Sequence, residues 1–294
     1  MKLPKIKHVF ENPILGKLAN YLTAFVSALL LIVNVRNVNM NSTPIDLNDY
    51  ELVFSDEFDG DKVNTDIWDV HNSAGIRKGG YWTFDQASVR DGNLVIRTEY
   101  KEDGAFGAGW YTCGLATQHR FEHKYGYYEC RCILPKGKGM WSAFWLMNPN
   151  VNKTNGHGRE GSEIDIFESP YYFLPGKASR LVTSNIHYNG YELKTKYRNV
   201  VISKLDNDPY ENYNTYGLLW TPEEYIFYVN GHEVGRSKFG GVSQAEEYLI
   251  LSCEIDGAAA SPTYGWSGHI KQNGGEDFSA EFLVDYVRVY DAVK

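Results

Sequence analysis

The chain has 294 residues, a net charge of −8, and 43% hydrophobic against 22% charged residues, a balance that excludes a disordered protein. An acidic chain is a poor polyanion binder, so nucleic acid is not an expected partner. Aromatics reach 15%, with 22 Tyr, 14 Phe and 7 Trp beside 28 Gly, and this favours strands and turns over helix bundles.

The first 44 residues depart from the rest. They carry Lys2, Lys5, Lys7, Lys17 and Arg36 against Glu11 alone, a surplus of four, so with −8 overall residues 45–294 carry −12. Within them lies the apolar run Tyr21 to Val35, YLTAFVSALLLIVNV. It is short of the ~20 residues of a spanning helix, and it follows a basic stretch as a signal-peptide core does. A cleaved signal peptide and an uncleaved signal anchor both fit; a helix packed on the domain is the structural alternative. Either export reading sends the acidic domain out of the cell, secreted or tethered, with membrane contact only through this segment. The domain boundary is expected at 44/45, with 1–44 as signal or anchor and 45–294 as one domain.

Alternation dominates from there on. NLVIRTEY reads as a strand after the Asp91-Gly92 turn, and GYYECRCILP as another, with Tyr128, Cys130, Cys132 and Leu134 on one face. MWSAFWLM, SEIDIFES, SNIHYNGY and YGLLW follow. EYIFYVNGHEVGRS is a hairpin turning at Asn230-Gly231. EYLILSCEI and FLVDYVRVY close the series. No long stretch of helical period separates these strands, so a parallel βαβ sheet is excluded and an antiparallel sandwich, jelly roll or barrel remains. Cys113, Cys130, Cys132 and Cys253 form no Cys-x-x-Cys pair, which removes zinc and thioredoxin-like readings. Cys130 and Cys132 are ~6.6 Å apart on one strand, so a bridge between them would be strained. Buried free thiols are expected, with a Cys113–Cys253 bridge left open.

The chemistry concentrates in Gly161-Ser-Glu-Ile-Asp-Ile-Phe-Glu-Ser169. Glu163 and Asp165 share one strand face, Ile164 and Ile166 the other. Strict alternation would bury Glu168 among the isoleucines, at high cost for a carboxylate. One extra residue at Ile166-Phe167, a β-bulge, returns Glu168 to the face of Glu163 and Asp165. Two carboxylates on one face, leaning to within ~5–5.5 Å, suit retaining glycoside hydrolysis. One attacks the anomeric carbon and the other protonates the leaving oxygen; a charge between them pushes their pKa values apart. Acidic residues alternating on a solvated strand are the bland alternative, and no Asp-x-Asp-x-Asp-Gly loop or His-Glu-x-x-His supports a metal site. Trp141 and Trp145, on one face of the strand just upstream, tip the balance: an aromatic beside carboxylates is a platform for a sugar, and one of the pair is expected to be exposed.

Taken together, LVFSDEFDG, YGYYECRCILPKGKGMWSAFWLM, EIDIFE, TYGLLWTPEEYIFYVNG and FLVDYVRVY resemble glycoside hydrolase family 16 over nearly all of residues 50–291. The spacing E-x-D-x-x-E is similar to the bulged variant of laminarinases, agarases and carrageenases. The resemblance implies an all-β fold, a two-sheet antiparallel jelly-roll sandwich, with residues 45–294 as the catalytic domain. It implies Glu163 as nucleophile, Glu168 as general acid/base and Asp165 as the helper that orients Glu163. It also implies substrate contacts from Trp141, Trp145, His187, Glu129 and Arg131, the last two in the E-x-R strand that reaches glycone-side sugars. No cofactor is implied for catalysis. Asp285, which strand parity buries beside Leu283, Val287 and Val289, is either purely hydrogen-bonded or part of a structural calcium site with Glu57 and the Gly92 carbonyl. Ser142 and Asn214 depart from the family's usual Pro and His.

The activity implied is a monomeric, secreted or tethered, retaining endo-β-glycosidase acting on polysaccharide. β-1,3- or mixed β-1,3/1,4-glucan is the favoured substrate. A galactan-active hydrolase, a transglycosylase and a non-catalytic lectin on the same sandwich are the alternatives, since fold alone does not separate them.

Overall fold

The computed structural model describes residues 35–153, 156–170, 172–174, 177–178, 180–191, 195–257 and 267–293. The apolar run expected to form a signal or anchor helix lies, up to residue 34, outside the described residues. Among them no helix is long and apolar enough to cross a membrane. The helices described are single 3₁₀ turns, and everything else that is regular is strand.

Two large sheets form the sandwich. One runs, edge to edge, through Val35–Asn37, Lys196–Lys204, Leu181–Tyr188, Glu163–Pro170, Met140–Met147, Glu247–Ile255, Gly114–Ala116 and Asp69–Val70. The other runs through His232–Ser237, Tyr225–Val229, Asn214–Trp220, Gly126–Ile133, Ser279–Ala292, Asn93–Lys101, Gly109–Thr112, Gly80–Trp82 and Gly75–Arg77. Most pairings are antiparallel, as alternation with short turns requires. Two are parallel, so the sheets are mixed rather than antiparallel throughout: Val35–Asn37 with Lys196–Lys204, and Gly80–Trp82 with Gly109–Thr112.

The expected boundary at 44/45 falls too late. Val35–Asn37 is already an edge strand, Val38 is buried in the main core, and Ile45 N–H bonds the Gly231 carbonyl at 2.8 Å. The end of the apolar run thus belongs to the sandwich.

Side-chain parity sets the layers. From the first sheet Phe144, Leu146, Ile164 and Ile186 point inward; from the second Tyr128, Cys130, Cys132, Leu218, Phe282 and Val287 meet them, all fully buried. Trp220 is buried too, its indole N–H bonded to the Ser243 carbonyl at 3.2 Å. The Asn230-Gly231 turn has φ of 51° and 77°, the left-handed pair that a two-residue hairpin demands. All four cysteines are buried free thiols, so the Cys113–Cys253 bridge does not form.

A buried carboxyl outside the expected chemistry is that of Glu247. Glu247, with no exposure, accepts Ser162 N–H on Oε1 at 3.1 Å, while its Oε2 has no hydrogen-bond partner. Burial pushes its pKa from 4.5 up to about 8. The native state therefore holds a proton that the unfolded chain loses above pH 4.5, and stability falls as pH rises toward 8. Glu247→Gln should melt with the parent at about pH 4 and roughly a few degrees above it at about pH 9, read by calorimetry. A constant difference across that range would show that Glu247 does not titrate there.

Candidate active site

The outer face of the first sheet carries a cleft of about 670 Å³. Its floor comes from four adjacent strands. Met140–Met147 supplies Trp141, Ala143, Trp145 and Met147; Glu163–Pro170 supplies the three carboxylates; Leu181–Tyr188 supplies Asn185 and His187; Glu247–Ile255 supplies Ser252 and Glu254.

The bulge lies where parity demanded it. Trp145 pairs with Asp165 and Phe144 with Phe167, which leaves Ile166 opposite no residue; on the other side Asp165 pairs with Asn185 and Glu168 with Thr183. Ile166 and Phe167 therefore both enter the core, and Glu163, Asp165 and Glu168 all line the cleft. Phe167 seats against Tyr216, with ring centroids at 4.2 Å, and edge-on to Phe282 at 6.3 Å.

Each carboxylate has its own partners. Glu168 Oε1 accepts the Trp141 indole N–H at 2.8 Å, and Oε2 accepts the Asn185 amide. That amide is aimed by its oxygen, which accepts from Asn199 Nδ2 at 2.9 Å and the Tyr197 hydroxyl at 3.1 Å. Asp165 is 3% exposed and has His187 Nε2 3.3 Å from its Oδ2. Glu163 Oε2 accepts the Tyr191 hydroxyl, and its Oε1 lies 3.8 Å from His187 Nε2.

Burial, and then the Asp165 charge, push the Glu168 carboxyl well above its usual range; the Trp141 bond only partly opposes this. Burial and the Glu163 charge do the same to Asp165. Burial and a like-charged neighbour both favour the protonated form, which is what an acid that must donate to a leaving group requires. Among the described residues the group with metal-like spacing is Glu163, Asp165 and His187, whose ligand-type atoms lie within 4.8 Å of one another. The Tyr191 donor on Glu163 suits a cluster that handles protons.

The expected substrate residues divide. Trp141 is half-buried on the cleft wall, with Lys78 Nζ 5.0 Å above its ring. His187 lines the cleft, its ring tilted against Tyr197. Trp145 is also there, but only 6% exposed, as floor beneath the cleft, with Nε1 bonded to Ser252 Oγ at 3.1 Å.

Glu129 and Arg131 do not reach the cleft. Their strand, Gly126–Ile133, lies in the second sheet; Tyr128, Cys130 and Cys132 fill the core, so the alternate residues face outward on the far side of the molecule. There Glu129 accepts the Tyr127 and Tyr286 hydroxyls, each at 2.7 Å, and Arg131 pairs with Asp285 at 2.5 Å.

That pairing also decides Asp285. A second bulge opposes Arg131 to Tyr286 and Cys132 to Val284, leaving Asp285 as the extra residue. Parity flips there, so Asp285 is partly exposed and salt-bridged instead of buried. Glu57 is committed to Arg288 through two bonds of 2.9 and 2.8 Å, and Gly92 sits in the left-handed Asp91-Gly92 turn. Two carboxylates already neutralised by guanidinium groups do not fit a calcium site.

Several cleft residues lie outside the motifs that the sequence singled out. Asn185 carried a signal, two residues before His187 on the same strand face. Tyr191 follows the strand, and Tyr197 stands on Lys196–Lys204, whose charged ends mask its alternation, with Asn199 behind it on Asn185. Arg77 and Lys78 flank Glu254: Arg77 Nη2 is 2.5 Å from Oε1 and Lys78 Nζ 3.9 Å from Oε2. His71, 3% exposed, packs edge-on to Trp145 at 5.5 Å.

A family model described as "Beta-porphyranase A-D, GH16 domain" matches residues 51–292. The chain is 29% identical over 207 residues to the endo-1,3-1,4-beta-glycanase EglC of Rhizobium meliloti (strain 1021), covering 69% of this chain and 39% of that protein. It is 30% identical over 261 residues to the keratan-sulfate endo-1,4-beta-galactosidase of Sphingobacterium multivorum, covering 85% of this chain and 57% of the relative. It thus spans 39% and 57% of the lengths of these two relatives. The fold is similar to the catalytic domain of an endo-1,3-beta-glucanase (laminarinase) from Thermotoga petrophila RKU-1, with TM-score 0.66 and 27% identity, covering 84% of this chain and 99% of that one.

Burial, helped by the Arg77 charge, pushes the His71 pKa from 6.5 down to about 4. The native imidazole then binds fewer protons than the unfolded one between those values, so stability is lost as pH falls through that window. A ¹⁵N NMR titration should leave the His71 imidazole neutral down to pH 5, and a midpoint above 6 would refute its burial against Trp145.

Proposed function

Starting from a chain that belongs to glycoside hydrolase family 16, we propose that it is a retaining endo-β-glycosidase acting on polysaccharide by double displacement. The observation that carries the reading is the bulged strand with three carboxylates on the cleft side, one of them hydrogen-bonded to Trp141. Glu163 attacks the anomeric carbon as Glu168 gives its proton to the leaving oxygen. The C–O bond breaks, and the sugar becomes an ester of Glu163. Glu168, now a carboxylate, takes a proton from water, which attacks the same carbon and releases Glu163. Asp165, whose carboxyl burial and then the Glu163 charge push upward, is the helper between them. An extracellular site of action follows from a polymeric substrate and is supported by the basic and apolar start of the chain.

For the substrate we propose a β-linked galactan bearing anionic groups. Arg77 and Lys78 share a single carboxylate, Glu254, at the wall that Trp141 forms, which leaves positive charge beside the sugar platform. One relative acts on keratan sulfate, and the matching family model is named for β-porphyranases. β-1,3/1,4-glucan is the second reading, supported by the glycanase and laminarinase relatives.

A panel of porphyran, keratan sulfate, agarose, laminarin and lichenan with product sizing separates the two. Faster turnover of the sulfated galactans supports the first; turnover of laminarin alone transfers the reading to glucan. Glu163→Gln should lower turnover at least about a thousandfold while substrate still binds. Proton NMR should show the β-anomer first, and an α-anomer appearing first would defeat the mechanism. Lys78→Met should lower kcat/KM on the sulfated polymer and leave that on its desulfated form unchanged.

A further inference from the structure

A carboxylate offers two equivalent oxygens in water, but only one can form the bond to the anomeric carbon. In this cleft the two are made different. Oε2 of Glu163 accepts the Tyr191 hydroxyl, whereas His187 Nε2 stands 3.8 Å from Oε1, beyond hydrogen-bond reach.

The segment carrying Tyr191 is built to hold it there. The chain leaves Leu181–Tyr188 through two consecutive left-handed residues, Asn189 with φ 70° and Gly190 with φ 81°, which turn it back over the cleft. Both are buried and tied to the loop that follows Met140–Met147. Gly190 N–H bonds the Val151 carbonyl at 2.6 Å, and Asn189 Oδ1 accepts Gly156 N–H at 3.1 Å. Val151 is itself fully buried in the cluster beneath the cleft. Tyr191 follows directly, about half exposed as a residue, with its hydroxyl turned in onto the carboxylate. Desolvation of that hydroxyl and then the Glu163 charge raise its phenol, so it stays a donor at working pH.

We propose that Tyr191 is a positioning residue that pins Oε2 of Glu163 and leaves Oε1 as the oxygen that attacks. The proposal rests on Glu163 being the nucleophile. Oε1 forms the ester bond as the bond to the leaving oxygen breaks and Glu168 supplies its proton; Tyr191 keeps its own proton throughout. Removing its donor frees the carboxylate to rotate off the line of attack.

The test compares kcat and KM of the parent, Tyr191→Phe and Tyr191→Leu on the polysaccharide that the parent hydrolyses. Both variants should lose about tenfold in kcat with little change in KM, because both lack the hydroxyl. A ring that serves only as a groove wall would leave Tyr191→Phe with the parent's kcat and give a larger KM for Leu than for Phe, and that result overturns the proposal. Glu163→Gln, measured alongside, keeps the two claims apart. If it is inactive and Tyr191→Phe keeps the parent's kcat, positioning alone fails; if it retains parent turnover, the nucleophile assignment fails.

Discussion

A carboxylate on the floor of a sheet survives only where donors reach it or a proton stays on it. Three such groups within six residues make this the governing demand on the structure. The indole of Trp141, the amide of Asn185 and the phenol of Tyr191 each deliver a donor. These donors come from three different segments, so the site exists only when the strands beside Glu163–Pro170 are in register. Where donors fall short, burial favours the protonated form of Asp165 and of Glu168. The polar network and the pairing order of the sheet are therefore one requirement seen twice. Asn185 illustrates it: its amide can face Glu168 only because Asn199 and Tyr197, one strand further out, hold its other end.

The second sheet supplies none of the three carboxylates and supports the strand that carries them. It offers Tyr216 and Phe282 as the surface on which Phe167 rests. Without a large apolar residue pressed against that surface, the extra residue of the bulge would have nothing to hold it inward. Its outer face is occupied with pairing its own charges, Arg131 with Asp285 and Arg288 with Glu57.

Much of this was legible in the chain. Alternation placed the strands, and the conflict between Glu168 and the isoleucines located the bulge before any coordinates. That inference worked because a buried charge is too costly for the pattern to be accidental. The same parity misplaced Asp285, because its own strand bulges at that residue and the sequence holds no comparable conflict to reveal it. Glu129 and Arg131 were expected at the substrate from the family resemblance alone, and period-2 patterning could not correct it, since it says which residues share a face but not which sheet the strand joins. Tyr191, Arg77 and Lys78 lie in turns or short strands with no period at all. Their approach to the cleft depends on chain reversals such as Asn189-Gly190, where backbone conformation rather than residue pattern sets direction.

The bulge has a bearing on how such a strand can change length. In an ordinary sheet strand, adding or losing one residue inverts every side chain beyond that point, so the core turns outward and the strand fails. Here Ile166 and Phe167 both face the core, and losing one of them restores plain alternation without moving Glu168 off the cleft side. The resulting E-x-D-x-E spacing keeps three carboxylates aligned. The shared inward pair is thus a place where single-residue gaps are tolerated between the nucleophile and the acid, in a segment where every other position is fixed in phase. Two lineages could differ by one codon at this point and still present the same reacting groups, which makes the length of the motif a marker of descent rather than of chemistry.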